Sequence, residues 1–150
     1  MVARKCSRCE GLMCTNVGDA RLRNSGNLLL IGSCMATRYP DIVEEFSKKN
    51  GDQPVLEVCL EETHVDQAGF KIASVVRYAS IRGLTVLTID GSPHCVQLHM
   101  VVEDIKRHFT PEVETAHYVV EKDNVYEISA EAVKRARHLS RIQASLNGVS

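Results

Sequence analysis

The chain has 150 residues, 44% of them apolar and 25% charged, with a formal net charge of −1. That length and balance fit one globular domain whose core needs no covalent staples. They imply no strongly basic nucleic-acid surface and no polybasic membrane patch, and the longest apolar run is far short of a membrane span.

The first residues, Met1 to Cys6, are basic but lead into no apolar stretch, so they do not read as a secretory signal. The expected location is the cytoplasm, where thiols stay reduced. Six cysteines in that setting point to metal binding or redox work rather than a disulfide framework. Cys6, Cys9 and Cys14 stand in a C-x2-C-x4-C spacing with Gly11 between them. A C-x2-C turn curls back so that two sulfurs can share one metal. Three thiolates leave a tetrahedral zinc, or an iron–sulfur cube, one ligand short. No second C-x2-C pair completes a zinc ribbon. Residues 1–26 therefore read as a cysteine-rich metal-binding segment whose later part, Thr15 to Gly26, is a polar linker loop. Residues 27–150 read as a single α/β domain.

Leu28-Leu29-Leu30-Ile31 is the organising stretch of that domain. A short apolar run bounded by turn residues predicts a strand buried on both faces. Gly32-Ser33-Cys34 follows it in the first βα turn, where backbone N–H groups can hold an anion. A helix is expected next, with Thr37 or Tyr39 as its cap, Pro40 in its first turn, a stripe of Ile42, Val43 and Phe46, and Asn50-Gly51 at its end. Cys34 to Arg38 is two residues shorter than the C-x5-R of a cysteine phosphatase. No G-x-G-x-x-G or P-loop lysine motif is present.

Pro54 to Leu60 predicts a second strand. Cys59 and Glu61 share one face at its end, and His64 lies nearby. A helix follows from Asp66 to Arg82, with Phe70, Ile72, Ala73, Val76 and Ala79 facing inward. Leu84 to Ile89 predicts the third strand, broken by Asp90-Gly91-Ser92-Pro93. His94 and Cys95 then open a helix through Leu98, Val101, Val102, Ile105 and Phe109. A thiol at a helix N-terminus is expected to ionise easily. His99 lies one turn beyond Cys95 and reads as a core or surface histidine rather than a ligand. The segment Ile89-Asp90-Gly91-Ser92-Pro93-His94-Cys95 resembles the Asp-Gly-Cys-Pro region of small cytosolic proteins with a DGC domain, described as metal-binding. Ser92 stands where that group has its first cysteine. The resemblance implies that Cys95 belongs to a metal site.

Glu114 to Val120 and Asn124 to Ile128 predict a hairpin. Ser129 caps a last helix with Ala132, Val133, Ala136, Leu139 and Ile142 inward and Lys134, Arg135, Arg137, His138 and Arg141 outward. The whole predicts a three-layer α/β sandwich of Rossmann or flavodoxin type: a mostly parallel sheet with a C-terminal hairpin and helix. If the first strand is central, in order 2-1-3, Cys34 and Cys95 meet at the switch point with Cys59 one strand away.

Three functions compete on these residues. The first is a metal-binding protein with Cys6, Cys9 and Cys14 joined by Cys34 or Cys95. It would hold zinc or an iron–sulfur cluster, which thiolate count does not separate, although the incomplete knuckle and dispersed fourth ligand lean toward a cluster, and serve a redox or regulatory partner. The second is a thiol enzyme with Cys95 as nucleophile, His94 or His64 assisting and Gly32, Ser33 and Cys34 holding an anion. The third is an interaction module that uses the basic C-terminal helix. No membrane or nucleic-acid partner is indicated, and an exposed edge strand in the last third makes a homodimer possible.

Overall fold

The computed structural model describes residues 8–148. Six strands form one sheet: β1 (Cys9–Gly11), β2 (Asn27–Gly32), β3 (Val55–Val58), β4 (Gly83–Ile89), β5 (Glu114–Glu121) and β6 (Asn124–Ile128). Their spatial order is β1-β3-β2-β4-β5-β6. The first five run parallel, and only β6 is antiparallel to its neighbour. The expected 2-1-3 order of the first three predicted strands is therefore present as β3-β2-β4. The hairpin is present as β5–β6, with β5 also extending the parallel sheet.

Leu28, Leu29, Leu30 and Ile31 have no exposed surface. Alternate residues of a strand face opposite sides, so β2 feeds two cores. Leu28 and Leu30 pack with Leu56, Leu84 and Val86 beneath α4 (Val65–Tyr78) and α5 (Pro93–His108). Leu29 and Ile31 pack with Leu87 and Val120 beneath α2 (Ser33–Arg38) and α3 (Pro40–Ser47). Each such side chain contributes about 1.5–3 kcal/mol on burial. Four in a row make β2 the centre of the three layers.

Several local expectations change. The helix expected after Tyr39 is two helices: Ser33 already starts α2, and Tyr39 separates it from α3, where Pro40 takes the first position. Gly32-Ser33-Cys34 is thus a strand end running straight into a short helix rather than a loop. Thr15 to Gly26 is no linker. Asp19 caps α1 (Ala20–Ser25), and Leu22 of that helix is buried in the core with Leu12. Arg21 ties α1 to the edge strand, pairing with Glu10 at 2.5 Å and Asp19 at 2.7 Å. β1 pairs with β3, so the N-terminal residues from Cys9 onward belong to the same sheet.

Phe70, expected inside, is 78% exposed, because Ala68, Ile72, Val75 and Val76 form the buried stripe of α4. The single C-terminal helix is α6 (Ala130–Arg135) and α7 (Leu139–Leu146). Of its expected stripe only Val133 is buried; Leu139 and Ile142 are exposed. Among the described residues, no helix is long and apolar enough to cross a membrane.

Candidate functional site

The chain leaves β2 for the α2/α3 face and leaves its neighbour β4 for the opposite face, that of α5 and α4, so the switch point falls between β2 and β4. Cys34 is the second residue of α2 beyond β2, Cys59 directly follows β3, and Cys95 is the third residue of α5 beyond β4. All three line one crevice of about 50 Å³, with Gly32, Ser92, His94 and Glu61 around them.

Local structure sets each thiol. Met35 and Ala36 anchor α2 in the core, which leaves Cys34 exposed at its start. The carbonyl of Cys59 accepts from the N–H groups of Glu62 (3.2 Å) and Thr63 (2.8 Å), closing the turn that carries it. Cys59 and Glu61 are therefore turn residues rather than two positions on one strand face. Gly91 turns the chain from β4 into α5 at φ 88°, a left-handed conformation that glycine adopts without cost. The carboxylate of Asp90 accepts from the Gly91 N–H at 3.0 Å.

Ser92 is the N-cap of α5, yet its hydroxyl bonds the Cys95 sulfur and leaves the helix end uncapped by a side chain. Burial pushes the Cys95 thiol above its ordinary value. Hydrogen bonds with Ser92 and the Ile89 backbone pull it back only in part, and the neighbouring Cys34 and Cys59 raise it further. The expectation of a thiol made acidic by the helix end is thus corrected: desolvation outweighs the helix terminus. An added Cβ at Gly32 would lie 3.5 Å from the Cys95 sulfur and 3.8 Å from Thr88 Cγ2, so the glycine keeps the crevice floor open.

The remaining candidates fall elsewhere. Cys9 begins β1 level with Val55, at the far end of β3 from Cys59, and packs on the α2/α3 side. Cys14 lies past the carboxyl end of β1, exposed and on the same edge of the sheet as the crevice, but it does not line it. Cys6 lies outside the described residues. His64 is the N-cap residue of α4 and lines no part of the crevice, whereas His94 does. Among the described residues, no three His, Cys, Asp or Glu side chains stand close enough to hold a metal ion as they are.

Behind the crevice lies a polar chain that the sequence did not announce. His99 Nε2 meets Thr88 Oγ1 at 2.9 Å, His99 Nδ1 meets His117 Nδ1 at 2.8 Å, and His117 Nε2 meets Glu103 Oε2 at 2.7 Å. Thr115 donates to the same carboxylate oxygen at 2.7 Å. One assignment satisfies every contact: Thr88 donates to His99, His99 to His117, and His117 to Glu103. Burial, then the proximity of His117, pushes His99 down to about 3, which keeps it neutral. Burial pushes Glu103 up, but the bonds from His117 and Thr115 more than offset this and hold it below its ordinary value. The chain clamps α5, and with it Cys95, to β4 and β5. His99, read from the sequence as a core or surface histidine, is buried; the partners it finds in His117, Glu103 and Thr88 left no trace there.

Arg137, expected on an outward basic face, pairs with Asp104 at 2.9 Å and donates to the Met100 carbonyl at 3.1 Å. It is a structural contact between the C-terminal helices and α5. Neither curated proteins nor solved structures give a match to this chain. The family model of a Rossmann-like domain matches residues 20–148, from α1 through α7, in keeping with the parallel sheet and its switch point. The chain therefore belongs to the Rossmann-like domain family.

Proposed function

We propose that the crevice binds a soft metal ion, with Cys34, Cys59 and Cys95 as its thiolates, in a small cytoplasmic metal-binding protein. One observation carries the reading: three thiols from three neighbouring parallel strands converge on a single small opening at the switch point. A thiol raised by burial and by two neighbouring sulfurs is poorly suited to nucleophilic attack. It is well suited to exchanging its proton for a metal, which neutralises the buried charge. The exposed Cys34 is the ligand with freedom to turn inward. His94 and Glu61 on the rim are available to complete a tetrahedral set.

Water occupies about 30 Å³ in the liquid, so a crevice of about 50 Å³ suits a single ion better than an iron–sulfur cube. Zinc is the first choice, and the resemblance of Ile89 to Cys95 to DGC-domain proteins implies only that Cys95 belongs to a metal site. Regulation or metal delivery to a partner protein fits such a site.

The test is metal analysis with a visible spectrum on protein purified without oxygen. The expected result is about one zinc per chain in the wild type, lost in Cys59→Ser and Cys95→Ser and kept in Cys9→Ser. Iron with sulfide and a brown colour would replace the ion by a cluster. Equal metal content in wild type, Cys59→Ser and Cys95→Ser, or no metal in any, would overturn the site.

A further inference from the structure

Two unsatisfied apolar surfaces lie at the C-terminal side of the molecule, and they match. The first is a groove of about 810 Å³ between α4 and α5, with Phe70, Ala73, Met100, Val101 and Phe109 among its walls. The helices approach closely at its floor, where a Cβ on Gly69 would lie 3.6 Å from Val101 Cγ1. Phe70 and Phe109 are 78% and 61% exposed. The second is α7, which buries no residue at all. Its Leu139, Ile142 and Leu146 stand at i, i+3 and i+7 on one face, and both leucines are 77% exposed.

We propose that the groove receives α7 of a second copy of this chain, and that the exchange is reciprocal about a two-fold axis. The spacing of the three apolar residues is that of a helix lying in a groove. Lengths agree: Val65 to Arg77 along the groove wall spans about 18 Å, and the eight residues of α7 span about 12 Å. Arg141 lies on the side of α7 away from the apolar stripe, so docking carries no cation of α7 into the groove.

The tether explains why the occupant is another copy. Arg137 sits on the groove rim, held by Asp104 and the Met100 carbonyl, and α7 begins two residues later. Each α7 thus leaves its own chain at the mouth of its own groove without entering it. A two-fold axis near Arg137 brings each helix to the other's groove through the same contact twice, as an isologous interface requires. A phenylalanine covers about 150–250 Å². The exposed parts of four of them, with those of six aliphatic side chains from the two α7 helices, bring the buried area toward the roughly 1,200 Å² of a stable interface.

The test is the mass of the full chain in solution, by sedimentation equilibrium from about 1 to about 100 µM. The wild type is expected to dimerise. Leu139→Glu/Leu146→Glu and Phe70→Glu are each expected to be monomeric with unchanged circular dichroism, and to melt as the wild type does at concentrations too low for it to dimerise, since these side chains are exposed in the single chain. Mixing the two variants is expected to restore a dimer about tenfold or more weaker than the wild type, because one intact helix still meets one intact groove. A wild type that stays monomeric throughout would overturn the proposal and leave α7 or another partner to cover the groove within one chain. A dimer that survives Leu139→Glu/Leu146→Glu would overturn it as well.

Discussion

His99 and His117 place two imidazoles, a threonine and a carboxylate in one hydrogen-bonded line where a core would otherwise be aliphatic. The line is stable because each group is satisfied, and protonation breaks it. His99 has a folded value of about 3 against an ordinary 6.5, so the fold favours its neutral form. That stabilisation is complete above pH 6.5 and drains away as pH falls toward 3. Glu103 is also depressed, and its share is lost in acid below its ordinary 4.5. Between pH 6.5 and 4.5 the loss is expected to be about 2 kcal/mol from His99. Urea midpoints measured across that window test it. His99→Gln should flatten the slope, and a wild type already flat there would refute the buried neutral histidine. Gly32 makes a second residue-scale prediction. Its φ of −68° suits any residue, and a methyl would sit in ordinary contact with Cys95 and Thr88. Gly32→Ala should therefore shift the melting temperature by no more than about 2 °C. Its methyl at the crevice floor should weaken metal binding about tenfold, read by competition with a chelator. Unchanged affinity would move the ion away from the floor of the crevice.

At the level of elements, the hairpin and the C-terminal helices show how local rules and packing share control. The turn between β5 and β6 places Lys122 at φ 49° and Asp123 at φ 66°, with Glu121 opposite Asn124. Two left-handed residues in a row match the twist of the flanking strands, the geometry that favours glycine at the second position. Asp123→Gly should relieve strain at the cost of a more flexible unfolded chain, a net gain of about 0.5 kcal/mol measured by thermal unfolding. A loss would mean that the Asp123 side chain holds the turn. The C-terminal helices follow the opposite logic. Ala132 through Ile142 carries one apolar period in sequence, yet the chain breaks after Arg135 and only Val133 reaches the core. Periodicity states which side chains share a face, but not whether the domain has surface left to cover that face. Phe70 is the same case: its position on α4 looks helical and inward, but the four smaller residues of the adjoining stripe fill the space above the sheet.

Across the whole molecule, the parallel sheet and its central strand were legible because they rest on runs that few other structures can bury. Leu28 to Ile31 has no amphipathic face, so it must be covered on both sides, and that alone places helices above and below. The convergence of Cys34, Cys59 and Cys95 follows from the same source. Strands that run parallel end on one edge, so residues one to six positions past three neighbouring strand ends meet there. The N-terminal segment was not legible. Cys9 to Gly11 is too short to carry a strand pattern, and it becomes a strand only because β3 offers an unpaired edge. Likewise, a lowered Cys95 thiol is what a helix end by itself would produce, whereas the burial that reverses it belongs to the packing of three segments far apart in sequence. The histidine chain joins α5 to β5 across 18 residues, and no local rule pairs those positions. The sequence by itself thus determined the layers and the strand ends on which the thiols lie, because periodicity and burial act within each element; the order of the strands was settled by the tertiary structure. Only the tertiary structure decided which thiols share the crevice, how they ionise and which apolar faces stay uncovered, because those depend on distances between elements and on the water each neighbour excludes.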